Sequence, residues 1–180
     1  MKNDPNKRPI LVRPRRRLAT KKDIPAIMLL IEQGRKRLAG LGVDQWQGEY
    51  PNEESIRNDI AQKQGHVFIS NDMIIAYAAI VFEDDPYYVN IDGKWLTDNP
   101  YVVIHRIAVH DDYTHHGVAR FIFQTAEKIA SKRNISAFRI DTHLQNHYMR
   151  NLIRQYGFTL CGIVQVRDGK RLAYEKAIVV

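Results

Sequence analysis

The chain has 180 residues, 44% of them hydrophobic, a length that fits one domain with a real core and excludes a fibrous or wholly disordered protein. Its net charge of +7 is unevenly placed: residues 1–22 hold nine basic side chains and one acidic, and the rest is near neutral, so a DNA-binding face across the whole domain is not implied. A single cysteine, Cys161, excludes an internal disulfide and a Cys-rich zinc site, and no apolar run is long enough to span a bilayer, which together describe a reduced, soluble, cytoplasmic protein with no membrane partner.

The opening MKNDPNKRPILVRPRRR lacks the apolar stretch of a signal peptide and divides the chain into a basic, flexible arm over 1–12 and a domain over 13–180. Pro5, Pro9 and Pro14 with dispersed charge favour a solvated arm over one that contacts phosphates or an acidic partner. Arg15 to Leu18 form a short strand. Thr20, Asp23 and Pro25 then supply start signals for a helix with Ile27, Leu30, Ile31, Gly34 and Leu38 on one stripe, ended by Gly40 and Gly42. A second helix spans Glu53 to Gln64. In the linker between them, Trp46, Tyr50 and Pro51 either plug the core or wall a substrate pocket.

From His66 the period changes. HVFIS, IIAYAAIVF and YVVIHRIAV read as three consecutive antiparallel strands, the last two joined by a polar, Pro-containing loop. Phe121, Ile122, Thr125, Ala126, Ile129 and Ala130 mark a long amphipathic helix, AFRID a fifth strand, and Met149, Leu152, Ile153 and Tyr156 a further helix ended by Gly157. FTLCGIVQV and KRLAYEKAIV close the chain as a hairpin on an Asp168-Gly169 turn. This order describes an α+β domain around one mixed sheet.

The chemistry concentrates where YVVIHRIAV turns through THHGVA into the long helix. Backbone N–H groups free at a helix start form an anion site, and Gly117 lets a phosphate approach without a Cβ in the way. Six of the seven histidines, His105, His110, His115, His116, His143 and His147, fall in this half, but their spacing does not build a metal site.

THHGVA resembles the acyl-CoA pyrophosphate loop of the GNAT superfamily of acyl-CoA-dependent N-acyltransferases, Q/R-x-x-G-x-G/A, and RIDTHLQNHYMRNLIRQYGF is similar to its second signature, a strand leading to an Asn and a helix ending in Gly-Phe. The resemblance covers about residues 13 to 180. It implies a GNAT-like single domain whose mostly antiparallel mixed sheet is splayed between the fourth strand, YVVIHRIAV, and the fifth, AFRID, flanked by about four helices. It further implies that main-chain groups of Ile107, Ala108 and Val109 pair with pantetheine, that Thr114, His115, His116, Gly117, Val118 and Ala119 hold the pyrophosphate, and that Asn146 and Met149 contact the pantetheine region. Thr114 departs from the family's Gln or Arg. Many members also carry a Tyr seven residues after the Asn to protonate the departing thiolate, and here Ile153 stands instead. Tyr156 is the nearest replacement by helical geometry, either as that acid or as packing beside Gly157 and Phe158.

Amine acylation needs a neutral nucleophile, and the candidates to take its proton are Glu83, Asp84, Asp85 and His105, with water as the alternative. The reading is an acetyl-CoA-dependent N-acetyltransferase acting on a primary amine by direct attack near Val109, with Trp46 and Tyr50 on the acceptor side and no metal. Its rivals are a non-catalytic acyl-CoA-binding module and a nucleic-acid-associated protein using its basic arm. The arm has too few apolar residues to offset the entropy of ordering it. Deleting residues 1–12 should therefore change the melting temperature by less than about 5 °C; a larger drop, above about 1 kcal/mol, places the arm in packing, for instance across a homodimer.

Overall fold

A computed structural model describes residues 13–179, so the expected arm lies outside the described residues. Eight strands are described: β1 (Arg15–Leu18), β2 (Gly65–Ser70), β3 (Met73–Val81), β4 (Asp92–Gly93), β5 (Tyr101–Val109), β6 (Ala137–Thr142), β7 (Thr159–Val166) and β8 (Gly169–Ala177). They form one sheet in the order β1-β2-β3-β5-β6-β8-β7-β4, antiparallel everywhere except between β5 and β6. Four helices flank it: α1 (Ile24–Gly40), α2 (Glu53–Ala61), α3 (Val118–Ser131) and α4 (His147–Gln155).

Strand alternation decides what each face buries. Phe68, Ile80, Val102, Ile104, Phe138 and Ile140 meet Ile122, Phe123 and Ala126 of α3 and Ile153 of α4 in the largest core cluster. On the other face, Val67, Tyr77 and Ala108 pack with Ile27, Leu30 and Ile31 of α1 and Ile56 of α2. Trp46 joins this second cluster. A Cβ at Gly34 would lie 3.0 Å from its ring, which explains a glycine on the buried stripe of α1.

The rest of that face is covered by residues 82–100, the segment expected to be a plain loop. It runs as a strap over β6, β8 and β7. A 3-10 turn at Pro86–Tyr88 buries Tyr88 with Tyr101, Val103, Ala137 and Ala173. Further along, the Leu96 N–H and Thr97 hydroxyl donate to the buried Glu175 carboxylate at 2.9 and 2.7 Å. Arg139 donates to the Thr97 carbonyl and lies between the rings of Trp95 and Tyr101, 4.3 and 4.1 Å from their centres. At the far edge β4 pairs with β7, Gly93 facing Gly162. There a Cβ on Gly93 would sit 2.2 Å from the Cys161 carbonyl oxygen, and one on Gly162 2.2 Å from that of Asp92. Two residues carry too little alternation to reveal a strand.

Two boundaries also differ from expectation. The second helix stops at Ala61, because Lys63 takes a left-handed φ of 57° and the chain reverses into β2. The β7–β8 reversal is carried by Arg167 and Asp168, with Gly169 already paired to Val166 at a φ of 126°.

His66 of β2 is buried, and its Nδ1 accepts from the Arg16 guanidinium at 3.0 Å. Burial first, and then Arg16 and Arg133, push its pKa down to about 4. The unfolded chain therefore binds a proton in the window from about 6.5 down to 4 that the folded one refuses, so stability falls on acidification through that window, by up to about 3 kcal/mol. His66→Gln should flatten the fall in melting temperature between pH 6.5 and 4; an unchanged slope would assign the acid sensitivity elsewhere.

Candidate active site

The site begins as a gap in the sheet. Among the described residues β5 and β6 pair only at Tyr101–Ala137, Val102–Phe138 and Val103–Arg139, and beyond Val103 the β6-facing edge of β5 has no strand partner there. A bulge accompanies the parting: Tyr77 faces Ala108 while Ala79 faces His105, so Arg106 and Ile107 share one partner position and Arg106 adopts a φ of 57°.

The bulge aims Arg106 at α2, where its Nε donates to Asp59 at 2.8 Å. Tyr77 donates its hydroxyl to the same carboxylate at 2.6 Å, and Arg106 also donates to the Tyr50 hydroxyl. Burial works against the guanidinium's charge, but the Tyr50 and Asp59 oxygens outweigh it and hold its pKa above the ordinary value. Arg167, from the β7–β8 turn, lies 4.6 Å over the Tyr50 ring, joining that hairpin to the α1–α2 linker.

Two residues past the last paired positions stand His105 on β5 and Asp141 on β6, and one turn of the strap reaches both. Asp85 lies 3.1 Å from His105 Nε2, and Tyr88 donates its hydroxyl to Asp141 at 2.8 Å. The Tyr101 hydroxyl and the Tyr87 N–H fix the turn by accepting from the Asp85 N–H and donating to the Asp85 carboxylate. Burial would raise the Asp85 pKa, but the hydrogen bond and charge of His105 prevail and lower it. For Asp141 burial wins, and its pKa is raised despite His105, Tyr88 and Arg171.

At its end β5 passes through a turn at Asp111–Tyr113 anchored to α1: Arg37 donates to the Val109 carbonyl at 2.8 Å and pairs with Asp111, whose N–H donates to Gln33. His115 and Gly117 both take left-handed conformations, with φ of 63° and 79°. The first helical bond of α3 runs from the Phe121 N–H to the Gly117 carbonyl, so the N–H groups of Val118, Ala119 and Arg120 precede any helical acceptor. A Cβ at Gly117 would meet nothing within 4 Å, and the neighbouring His116 Nδ1 is buried without a hydrogen-bond partner.

The sequence signature of the acetyltransferase (GNAT) family matches residues 34–158. The chain belongs to the GNAT family. It is similar to a GNAT-family acetyltransferase from Streptococcus agalactiae, 36% identical, with 95% of this chain and 99% of that one aligned at a TM-score of 0.85. Its fold is shared by a GNAT-family acetyltransferase from Listeria monocytogenes (18% identity, 92% and 95% coverage, TM-score 0.73) and by the PaiA N-acetyltransferase from Thermoplasma acidophilum, solved with coenzyme A (19%, 91% and 98%, 0.66). No curated protein matches the sequence. The protein is thus an acyl-CoA-dependent N-acetyltransferase.

Within this GNAT domain the expected residues divide. Ile107, Ala108, Val109 and the 114–119 loop line the open edge of β5 and the start of α3. Asn146 caps α4, accepting from the Met149 N–H at 3.2 Å, and the His115 ring meets that of Tyr148 edge-on, 5.7 Å away, so the loop and the first turn of α4 touch. Ile153 is fully buried. Tyr156 donates its hydroxyl to Glu127 of α3 at 2.5 Å, beside Lys176, and packs 5.1 Å from Phe123. Trp46 is core, Tyr50 belongs to the Arg106 cluster, and Glu83 is an exposed acceptor for Gln64. Sequence reasoning missed Asp59, Tyr88 and Asp141. A usable signal existed for two of them, since Asp59 sits on the buried stripe of α2 beside Ile56 and Ile60 and Asp141 is an acid in a strand that is mostly buried.

Asp59→Ala would leave the Arg106 charge buried without its carboxylate, so urea unfolding should show a loss of about 3 to 5 kcal/mol. A loss below about 1 kcal/mol would mean that the cluster does not hold the bulge.

Proposed function

We propose that the protein transfers an acetyl group from acetyl-CoA directly to a primary amine. The observation that carries this reading is the left-handed turn through His115 and Gly117, which opens the start of α3 beside the unpaired edge of β5. The N–H groups from His115 to Ala119 would hold the pyrophosphate, with the open space over Gly117 fitting an anionic ligand. The β5 edge through Ile107, Ala108 and Val109, with Asn146 and Met149, would hold pantetheine. When bound, acetyl-CoA supplies the acetyl group as a thioester.

The chain's own contribution is to deprotonate the acceptor. With Nε2 facing Asp85, the tautomer of His105 that donates there keeps its lone pair on Nδ1, which makes His105 the base and Asp85 the group that orients it. Glu83, tied to Gln64 on the exposed strand end, has no comparable position. Tyr156 acts as packing in this reading, since its proton is committed to Glu127 and burial, followed by that carboxylate, raises its pKa. Water protonates the leaving thiolate.

Three measurements test this. Gly117→Glu places a side chain and a negative charge in the phosphate position and should abolish CoA binding by calorimetry; unaltered affinity would move the site elsewhere. His105→Gln should lower kcat roughly 10²- to 10⁴-fold with CoA affinity kept, whereas full activity would return the proton to water. Tyr156→Phe should keep its turnover across about pH 6.5 to 9 and lose about 1 kcal/mol of stability, and a roughly tenfold fall in kcat near neutrality would restore it as the acid.

A further inference from the structure

The charges around the gap between β5 and β6 do not cancel. Each guanidinium near it has a carboxylate of its own: Arg106 has Asp59, Arg171 has Asp168 at 2.7 Å, and Arg139 has Glu175 at 3.4 Å. Asp85 pairs with His105, a cation when protonated. Asp141 accepts one neutral hydroxyl, from Tyr88, and has no salt-bridge partner among the described residues. A carboxylate held at the lip of a gap by a buried tyrosine, with the charges of His105 and Arg171 acting on it but no ion pair formed, is suited to a cation from outside. The strap positions it for this, because the same 3-10 turn that sets Asp85 against His105 sets Tyr88 against Asp141.

We propose that Asp141 is the docking group for the protonated amine of the acceptor. This rests on the amine-acetylation reading above. The ammonium nitrogen donates to the Asp141 carboxylate, and its proton then passes to His105, leaving the nitrogen lone pair free for attack. Burial raises the Asp141 pKa, and a bound cation offsets that cost, so the site discriminates against uncharged acceptors of the same size. Tyr88 is a positioning residue that acts through Asp141.

With butylamine as acceptor, Asp141→Asn should raise KM about 10- to 100-fold, the value of one lost charged hydrogen bond, with a much smaller change in kcat and none in CoA affinity. Asp141→Glu should recover most of the loss, and Tyr88→Phe should raise KM less. Hydroxylamine, uncharged near neutral pH, should be used equally well by parent and Asn variant. An unchanged butylamine KM, or an equal loss with hydroxylamine, overturns the proposal. A binding measurement separates it from the reaction: in CoA-free protein the NMR signals of the His105 ring should shift with butylammonium but not with butanol, and the Asn variant should lose that response. A shift without turnover by any amine defeats the acetylation reading and leaves the docking group standing, whereas absence of the shift defeats the docking group.

Discussion

Parallel strands that pair over three residues and then part leave backbone groups with nothing to bond, and such groups inside a protein are costly unless a ligand or water takes them. The rest of this domain is arranged around that gap. On the β5 side the bulge at Arg106 is held by the Asp59 carboxylate and the Tyr77 and Tyr50 hydroxyls. On the β6 side Arg139 is fixed between two aromatic rings and paired with Glu175. Neither lip is secured by hydrophobic contact alone. Buried ion pairs give little net stability, but breaking one is expensive, which suits them to fixing a geometry.

The division of labour between the two faces follows from the sheet's alternation. The face under α3 and α4 is aromatic and aliphatic, with Phe123, Phe138 and Phe158 in edge-on contacts. That face supplies the hydrophobic stabilisation. The opposite face carries the buried Asp59, Arg139, Arg171 and Glu175, and is where His105 and Asp141 stand. The polar groups at the lips of the gap thereby stand on the side that the strap and the α1–α2 linker cover.

The fold was legible because its long elements repeat. Ile27, Leu30, Ile31 and Gly34 state a helix, and IIAYAAIVF and YVVIHRIAV state strands, without help from tertiary contacts. The start of α3 was legible for a different reason, since a glycine at a strand-to-helix turn marks where a helix opens, and Gly117 is the residue before α3, at a φ of 79°. The polar network was not legible. Arg106 and Asp59 are 47 positions apart and Tyr88 and Asp141 are 53, and no local pattern pairs residues at such separations. His105 could be named from its strand, but the choice of Asp85 over Glu83 and Asp84 as its partner depends on the 3-10 turn that follows.

That turn in turn depends on residues remote from the gap. The strap is anchored at one end by Asp85 and Tyr88 and beyond the middle by Glu175, and at the sheet's far edge by two glycines whose backbones approach too closely for any Cβ. A segment of this length without regular structure would ordinarily be mobile, and the entropy of ordering it must be offset by such contacts. Because they are spread along the strap, no single one bears the whole cost, yet each constrains the same short turn. Gly93 and Gly162 therefore belong to the physical account of the site as much as His105 does: they fix where the strap begins its return to β5, and so how closely one turn can reach both lips.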